Sequence, residues 1–136
     1  MAIQQSTTIR NAEAEAFRTT LVASPVLKIF TGAAPANCAA ANTGTELVSM
    51  TLPATPLSAA SAGAVAKSGT WTGTAIASGT GGHFRLYASD GVTCHKQGVI
   101  GFTDSPQDMD LAQGSAAIVS GQVITVASYT FTAGGA

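Results

Sequence analysis

A chain of 136 residues with a net charge of −1 has room for one domain, which at this length buries roughly two thirds of the surface its unfolded form exposes. Ala (26), Thr (18), Gly (15) and Ser (12) supply 71 of the residues, while six basic and seven acidic side chains are all the charge there is. Such a composition suits closely packed β-structure, leaves few groups for acid, base or metal chemistry, and provides no basic stripe to neutralise phosphates, so nucleic acid is excluded as a partner.

The mean hydropathy of +0.29 comes from Ala rather than from long aliphatic runs. No window holds the roughly 18 apolar residues of a membrane helix, and Met1 to Asn11 lacks the cationic start and apolar stretch of a signal peptide. Synthesis in the cytoplasm and no membrane partner are therefore expected. An ordinary globular domain carries about a quarter charged residues. At 10% this chain is bland enough for its surface to serve as an interface.

In chain order, Thr8 to Leu21 (TIRNAEAEAFRTTL) predicts a short helix, with Ile9, Ala12, Ala16, Phe17 and Leu21 on one face and Ser6, Thr7 or Thr8 as N-cap. Pro25 bars its continuation. Residues 1–24 thus read as a helical arm and 25–136 as a β-domain, the two forming one structural unit. Val26 to Thr31 is a strand, Ala33 to Gly44 a loop without periodicity, and Glu46 to Leu52 an alternating strand stopped by Pro53. Thr55 to Ala66 fits a loop or a weak strand equally. Lys67 to Ala77 resumes a β pattern around Trp71, the single tryptophan, whose ring is expected in the core.

Gly79, Gly81 and Gly82 read as a connector, since they fail the phosphate-loop spacing and precede no helix. His83 to Ile100 carries the strongest local pattern. Phe84, Leu86 and Ala88 alternate with Arg85 and Tyr87, Asp90-Gly91 matches a two-residue turn, and Val92 to Ile100 returns as the partner strand. Gly101 to Gln107 is a loop, Met109 to Leu111 a short strand, and Gln113 to Gly121 another turn region. Gln122 to Thr132 is the longest β-rich run, with Val123, Ala127, Tyr129 and Phe131 on one face and Ile124 and Val126 on the other; Ala133 to Ala136 is expected to fray. The fold class expected is all-β, a two-sheet β-sandwich or jelly roll of about seven or eight short strands with one N-terminal helix.

No catalytic, cofactor-binding or metal-binding residues are assigned, and the chain reads as a protein that is not an enzyme and needs no cofactor. The constellations weighed were a zinc site from Cys38, His83, Cys94 and His95, an acidic cluster of Asp104, Asp108 and Asp110 in which Asp108 and Asp110 share a face, and a ligand groove lined by Trp71, Tyr87 and Tyr129. Neighbours on a strand face opposite ways, which separates Cys94 from His95. The aspartates read as a solvated acidic turn. Cys38 and Cys94 lack a paired spacing and read as two buried free thiols, a disulfide between them being unreadable from sequence.

VLKIFTGAAPANCAAANTGTELVSMTLP (Val26 to Pro53), KSGTWTGTA (Lys67 to Ala75), GHFRLY (Gly82 to Tyr87), CHKQG (Cys94 to Gly98) and SGQVITV (Ser120 to Val126) together resemble small proteins of tailed bacteriophages and prophages. The chain is similar to the jelly-roll cement, or decoration, proteins of short-tailed phage capsids. That resemblance implies a virion structural protein outside an icosahedral shell, clamping neighbouring major capsid protein subunits as a homodimer or other small oligomer. It supplies no contact residues. The helix and first strand are the expected arm toward a neighbour, and a tail, neck or fibre component or a receptor- or carbohydrate-binding module is the alternative.

Overall fold

The computed structural model describes residues 3–102 and 109–135. Helix α1 (Thr7–Thr20) leads into β1 (Val26–Thr31), β2 (Glu46–Thr51), β3 (Ala64–Ala66), β4 (Thr72–Thr74), β5 (Gly79–Tyr87), β6 (Cys94–Gly101), β7 (Met109–Leu111), β8 (Ala117–Ile118) and β9 (Val123–Thr132). The chain is mostly β with one short helix, as its small-residue composition implies. Among the described residues the strands form one nine-stranded sheet in the order β2-β1-β5-β6-β7-β9-β3, with β4 on β9 and β8 on β5. Neighbours are antiparallel except β6 and β7.

The sheet curls into a half-barrel. Register shifts in β1, β5 and β7 add local twist, as an extra residue in one strand of a pair does. The ten-residue β9 then serves several partners: β7 lies along one edge, and β3 and β4 follow one another along the other. Beyond β4 the chain meets the free edge of β2, where Ile76 N–H donates to the Leu47 carbonyl at 2.8 Å and Val48 bridges Ala75. Leu27, Ile29, Leu47, Phe84, Leu86, Trp71, Met109, Ile124, Val126 and Tyr129 fill the inside of this curl. Trp71 is fully buried, as its sequence setting predicts, and its indole N–H donates to the Ser68 carbonyl at 3.2 Å.

Helix α1 is capped by Ser6, whose Oγ accepts from Ile9 N–H at 3.3 Å. The predicted face is rotated: Ile9, Ala12 and Ala16 are exposed, while Ala14 and the capping Leu21 are buried and Phe17 packs on the core. Polar anchors decide the rotation. Arg10 reaches the Ala133 carbonyl at 3.3 Å, Asn11 Oδ1 accepts from Gly63 N–H at 2.7 Å, Glu15 Oε1 accepts from Ala60 N–H at 2.6 Å, and Arg18 Nε donates to the Leu57 carbonyl at 3.2 Å. The helix is thereby committed to its own β-body, and β1 is paired on both edges, so neither serves as a free arm. The same contacts hold the tail that was expected to fray: Ala133 is buried, its N–H donates to the Gly63 carbonyl, and the Gly135 carbonyl accepts from Gln5 N–H.

Two local expectations change at the hairpin. Gly79, Gly81 and Gly82 belong to β5 and do not form a connector; Gly32 backbone lies so close to Gly82 that a Cβ there would overlap it. Tyr87 pairs with Cys94, so the turn is longer than two residues and β6 starts at Cys94 rather than Val92. Gly91 alone takes a positive φ, +71°, whereas a tight primed turn of that type needs two such residues. Asp90 instead collects Val92 N–H at 2.8 Å and Thr93 N–H at 2.9 Å on its Oδ1.

Candidate functional site

The strand β5 is buried on both faces. Phe84 and Leu86 point into the core, and His83, Arg85 and Tyr87, which an alternating pattern would expose, are 0%, 1% and 2% exposed. What covers them is the chain between β1 and β2. Its ends are tied by Thr31 N–H to the Thr45 carbonyl at 3.0 Å and Thr45 N–H to Thr31 Oγ1 at 2.9 Å, and Thr43 Oγ1 donates across it to the Ala33 carbonyl at 3.0 Å. The result is an Ω-loop, 32–45, folded back over the outer face of β1, β5 and β6.

An Ala-rich loop has few side chains of its own to hold it, so the strands supply them. His83 Nδ1 lies 2.9 Å from the Gly32 carbonyl oxygen, with its ring stacked on Phe30 at 5.2 Å, and Gln97 Nε2 donates to the Pro35 carbonyl at 2.7 Å. Arg85 does most. Its Nη2 donates to the Cys38 carbonyl at 2.8 Å, the Ala40 carbonyl at 3.1 Å and the Asn37 carbonyl at 3.5 Å, and its Nη1 to Asn42 Oδ1 at 2.5 Å. Tyr87 Oη donates to the same Asn42 oxygen. The two terminal nitrogens of the guanidinium are thus held by oxygen dipoles rather than by a carboxylate, while its buried Nε has no hydrogen-bond partner. Burial works against that charge, yet the nearby Cys94 and Tyr87 hold the Arg85 pKa above its ordinary value. Burial also raises the Tyr87 phenol, with Arg85 opposing.

Beside this network lies a cavity of about 460 Å³ lined by Lys28, Cys38, Asn42, Arg85, Tyr87 and Cys94 among others. Lys28 pairs with Glu46 at 3.1 Å and sits 5.3 Å from the centre of the Tyr87 ring. The two cysteines, both half-buried, meet here with their sulfur atoms 2.8 Å apart. Burial, then the hydrogen bond to Cys38, pushes the Cys94 thiol up to about 11. The chemistry within reach is that of two adjoining thiols beside a buried cation.

The other weighed constellations come apart. His83 is turned to Gly32 and His95 is exposed, so neither joins the thiols, and among the described residues no three of His, Cys, Asp and Glu group as metal ligands. Asp110 is buried in β7 opposite Ser128, not solvated in a turn, because that segment is drawn in as a strand between β6 and β9; Asp104 and Asp108 lie outside the described residues. Trp71, Tyr87 and Tyr129 are all buried, so the groove they were to line does not form. At the centre of the network stand Arg85, which the alternation of β5 places on the outer face, and Asn42, which no periodicity marks. The signal that points to them is Arg85 and Tyr87 two apart on a strand, with a long Ala-rich loop free to close on them.

One flank is of another kind. Residues 68–84 and 111–136 contain no Asp, Glu, Lys or Arg, and they pair with each other through β4 with β9 and β5 with β8. Ile76, Val119 and Val123 stand out of this flank at 61%, 60% and 65% exposure. No helix among the described residues is long and apolar enough to cross a membrane. Comparison with protein-family models, with curated proteins and with solved structures finds no match to this chain.

Proposed function

We propose that this chain is a structural protein of a bacteriophage virion, a cement protein that sits on the outside of the capsid and clamps neighbouring major capsid protein subunits. The observation that carries this reading is the uncharged flank, two paired stretches without an ionisable Lys, Arg, Asp or Glu and with Ile76, Val119 and Val123 exposed. A flank of this composition can be covered by another protein without stripping water from unpaired charges, the cost that most often offsets a contact. The resemblance of five segments to small phage proteins supplies the kind of assembly. Within this reading the curled sheet corresponds to the jelly roll of the cement proteins, and a homodimer or other small oligomer is the form that bridges subunits. Internal pressure from packaged genome pulls subunits apart, and many modest clamps resist it together.

The test is to mix the purified protein with shells of the phage that encodes it and image the particles by electron cryomicroscopy. Decoration at a fixed stoichiometry is the expected result. Val123→Asp, which places a charge on the exposed flank, is expected to abolish decoration while leaving the circular dichroism spectrum unchanged. Shells that stay bare at saturating protein overturn the proposal, and density confined to tail, neck or fibre moves the chain to its alternative place in the particle.

A further inference from the structure

Cys38 and Cys94 are 56 residues apart in sequence, and backbone rather than chance rotation of side chains brings them together. Arg85 fixes the Cys38 backbone by its carbonyl at 2.8 Å, and the ladder between β5 and β6 fixes Cys94 opposite Tyr87. Both line the cavity, which gives a small reagent a route to them. Nothing covalent or ionic ties the loop 32–45 to the β5–β6 hairpin among the described residues; hydrogen bonds hold it there.

We propose that Cys38 and Cys94 are a thiol–disulfide modification site, at which a low-molecular-weight disulfide such as oxidised glutathione joins the two and locks the loop 32–45 onto β6. The Cys38 thiolate attacks one sulfur of the glutathione disulfide, whose S–S bond breaks and releases one glutathione thiolate. Cys94, its proton lost to solvent, attacks the Cys38 sulfur and expels the second glutathione thiolate. The two leaving thiolates take up two protons. In sum the protein thiols lose two protons and two electrons, and the small disulfide gains both. The first attack falls to Cys38 because burial and its neighbour hold the proton on Cys94. A bond closing so long a stretch of chain also restricts the unfolded state, so oxidation raises Tm. The site is independent of the virion reading and stands or falls without it.

Wild-type protein is incubated with oxidised glutathione, digested and mapped by mass spectrometry, with free thiols counted and Tm measured before and after dithiothreitol. One cross-linked peptide pair joining Cys38 to Cys94, a chain lighter by two hydrogens, loss of both thiols and a Tm rise reversed by reductant are the expected results. Cys94→Ser, which lacks the second attacking thiol, is expected to stop at one glutathione on Cys38 with no rise in Tm; the wild-type peptide map decides even where that variant fails to fold. Two thiols still open to alkylation, a separate glutathione retained on each cysteine, or bonds between chains overturn the site. A Cys38–Cys94 bond that leaves Tm unchanged overturns the lock.

Discussion

Arg85 is buried at 1% exposure, and every oxygen around its terminal nitrogens belongs to the loop 32–45 or to Tyr87. A hydrogen bond to a charged group contributes about 1.5–3 kcal/mol, and truncation would take this donor from the Cys38 and Ala40 carbonyls under the loop. Arg85→Ala is therefore expected to cost at least about 3 kcal/mol. The specific readout is local: cleavage by a nonspecific protease inside 33–44 should appear before global unfolding. A variant whose loop is cut no faster than wild type would show that Arg85 is not what holds it. Asn42 belongs to the same account, since one oxygen receives both Arg85 and Tyr87. Nothing in the periodicity of β5 marks Arg85 as an inner residue, because alternation says which side a residue faces and not what lies on that side.

At the scale of elements, the sequence was read best where chemistry punctuates it. Pro25 and Gly32 bracket β1 and Pro53 closes β2, so both strands stand within a residue of their predicted bounds. Where several signals competed, the tertiary contacts decided: the face α1 buries follows its anchors Arg10, Asn11, Glu15 and Arg18, and the glycines of β5 follow the approach of the Gly32 backbone. The β5–β6 turn is the case with a pH signature. Backbone N–H donors of Thr93 and Val92, with the Thr93 hydroxyl and a small contribution from the nearby His95, hold the Asp90 carboxyl down to about 2. An ionised Asp90 therefore stabilises the folded turn above the ordinary carboxylate pKa of about 4, and that stabilisation is lost as pH falls from about 4 through about 2. Asp90→Asn, which has no proton to take up, should lower Tm at neutral pH and converge on wild type toward pH 2. Melting curves of the two proteins across that range provide the check, and a gap that stays constant with pH would refute the role.

Over the whole molecule, strand identity was legible and strand partnership was not. Short β-rich runs between turns appear in any order of pairing, and only packing selects β1 beside β5, a parallel β6–β7 pair, and β9 as the strand that joins β7, β3 and β4. For the same reason the meeting of Cys38 with Cys94 could not be read: it depends on a loop that Arg85 folds back from 47 residues away. The cost of such pairings falls on folding speed, because each long loop must close before its contacts repay the lost entropy. Val26 pairs with Tyr87, and the cage around Trp71 is finished only by the last strand, through Val126 N–H to the Trp71 carbonyl at 2.9 Å and through the Tyr129 ring 5.7 Å away. Trp71 is the single tryptophan, so its fluorescence reports the arrival of β9 without labelling. Refolding from denaturant should accordingly place nearly all of the Trp71 signal in a slow phase of about milliseconds to seconds, the range of domains dominated by non-local pairing. Truncation after Gly121 removes β9 and should leave the tryptophan emission at the position of the unfolded chain. If stopped-flow mixing instead finds Trp71 already buried within the dead time, the core assembles before β9 docks, and the half-barrel is built from the β1–β5–β6 end without its closing strand.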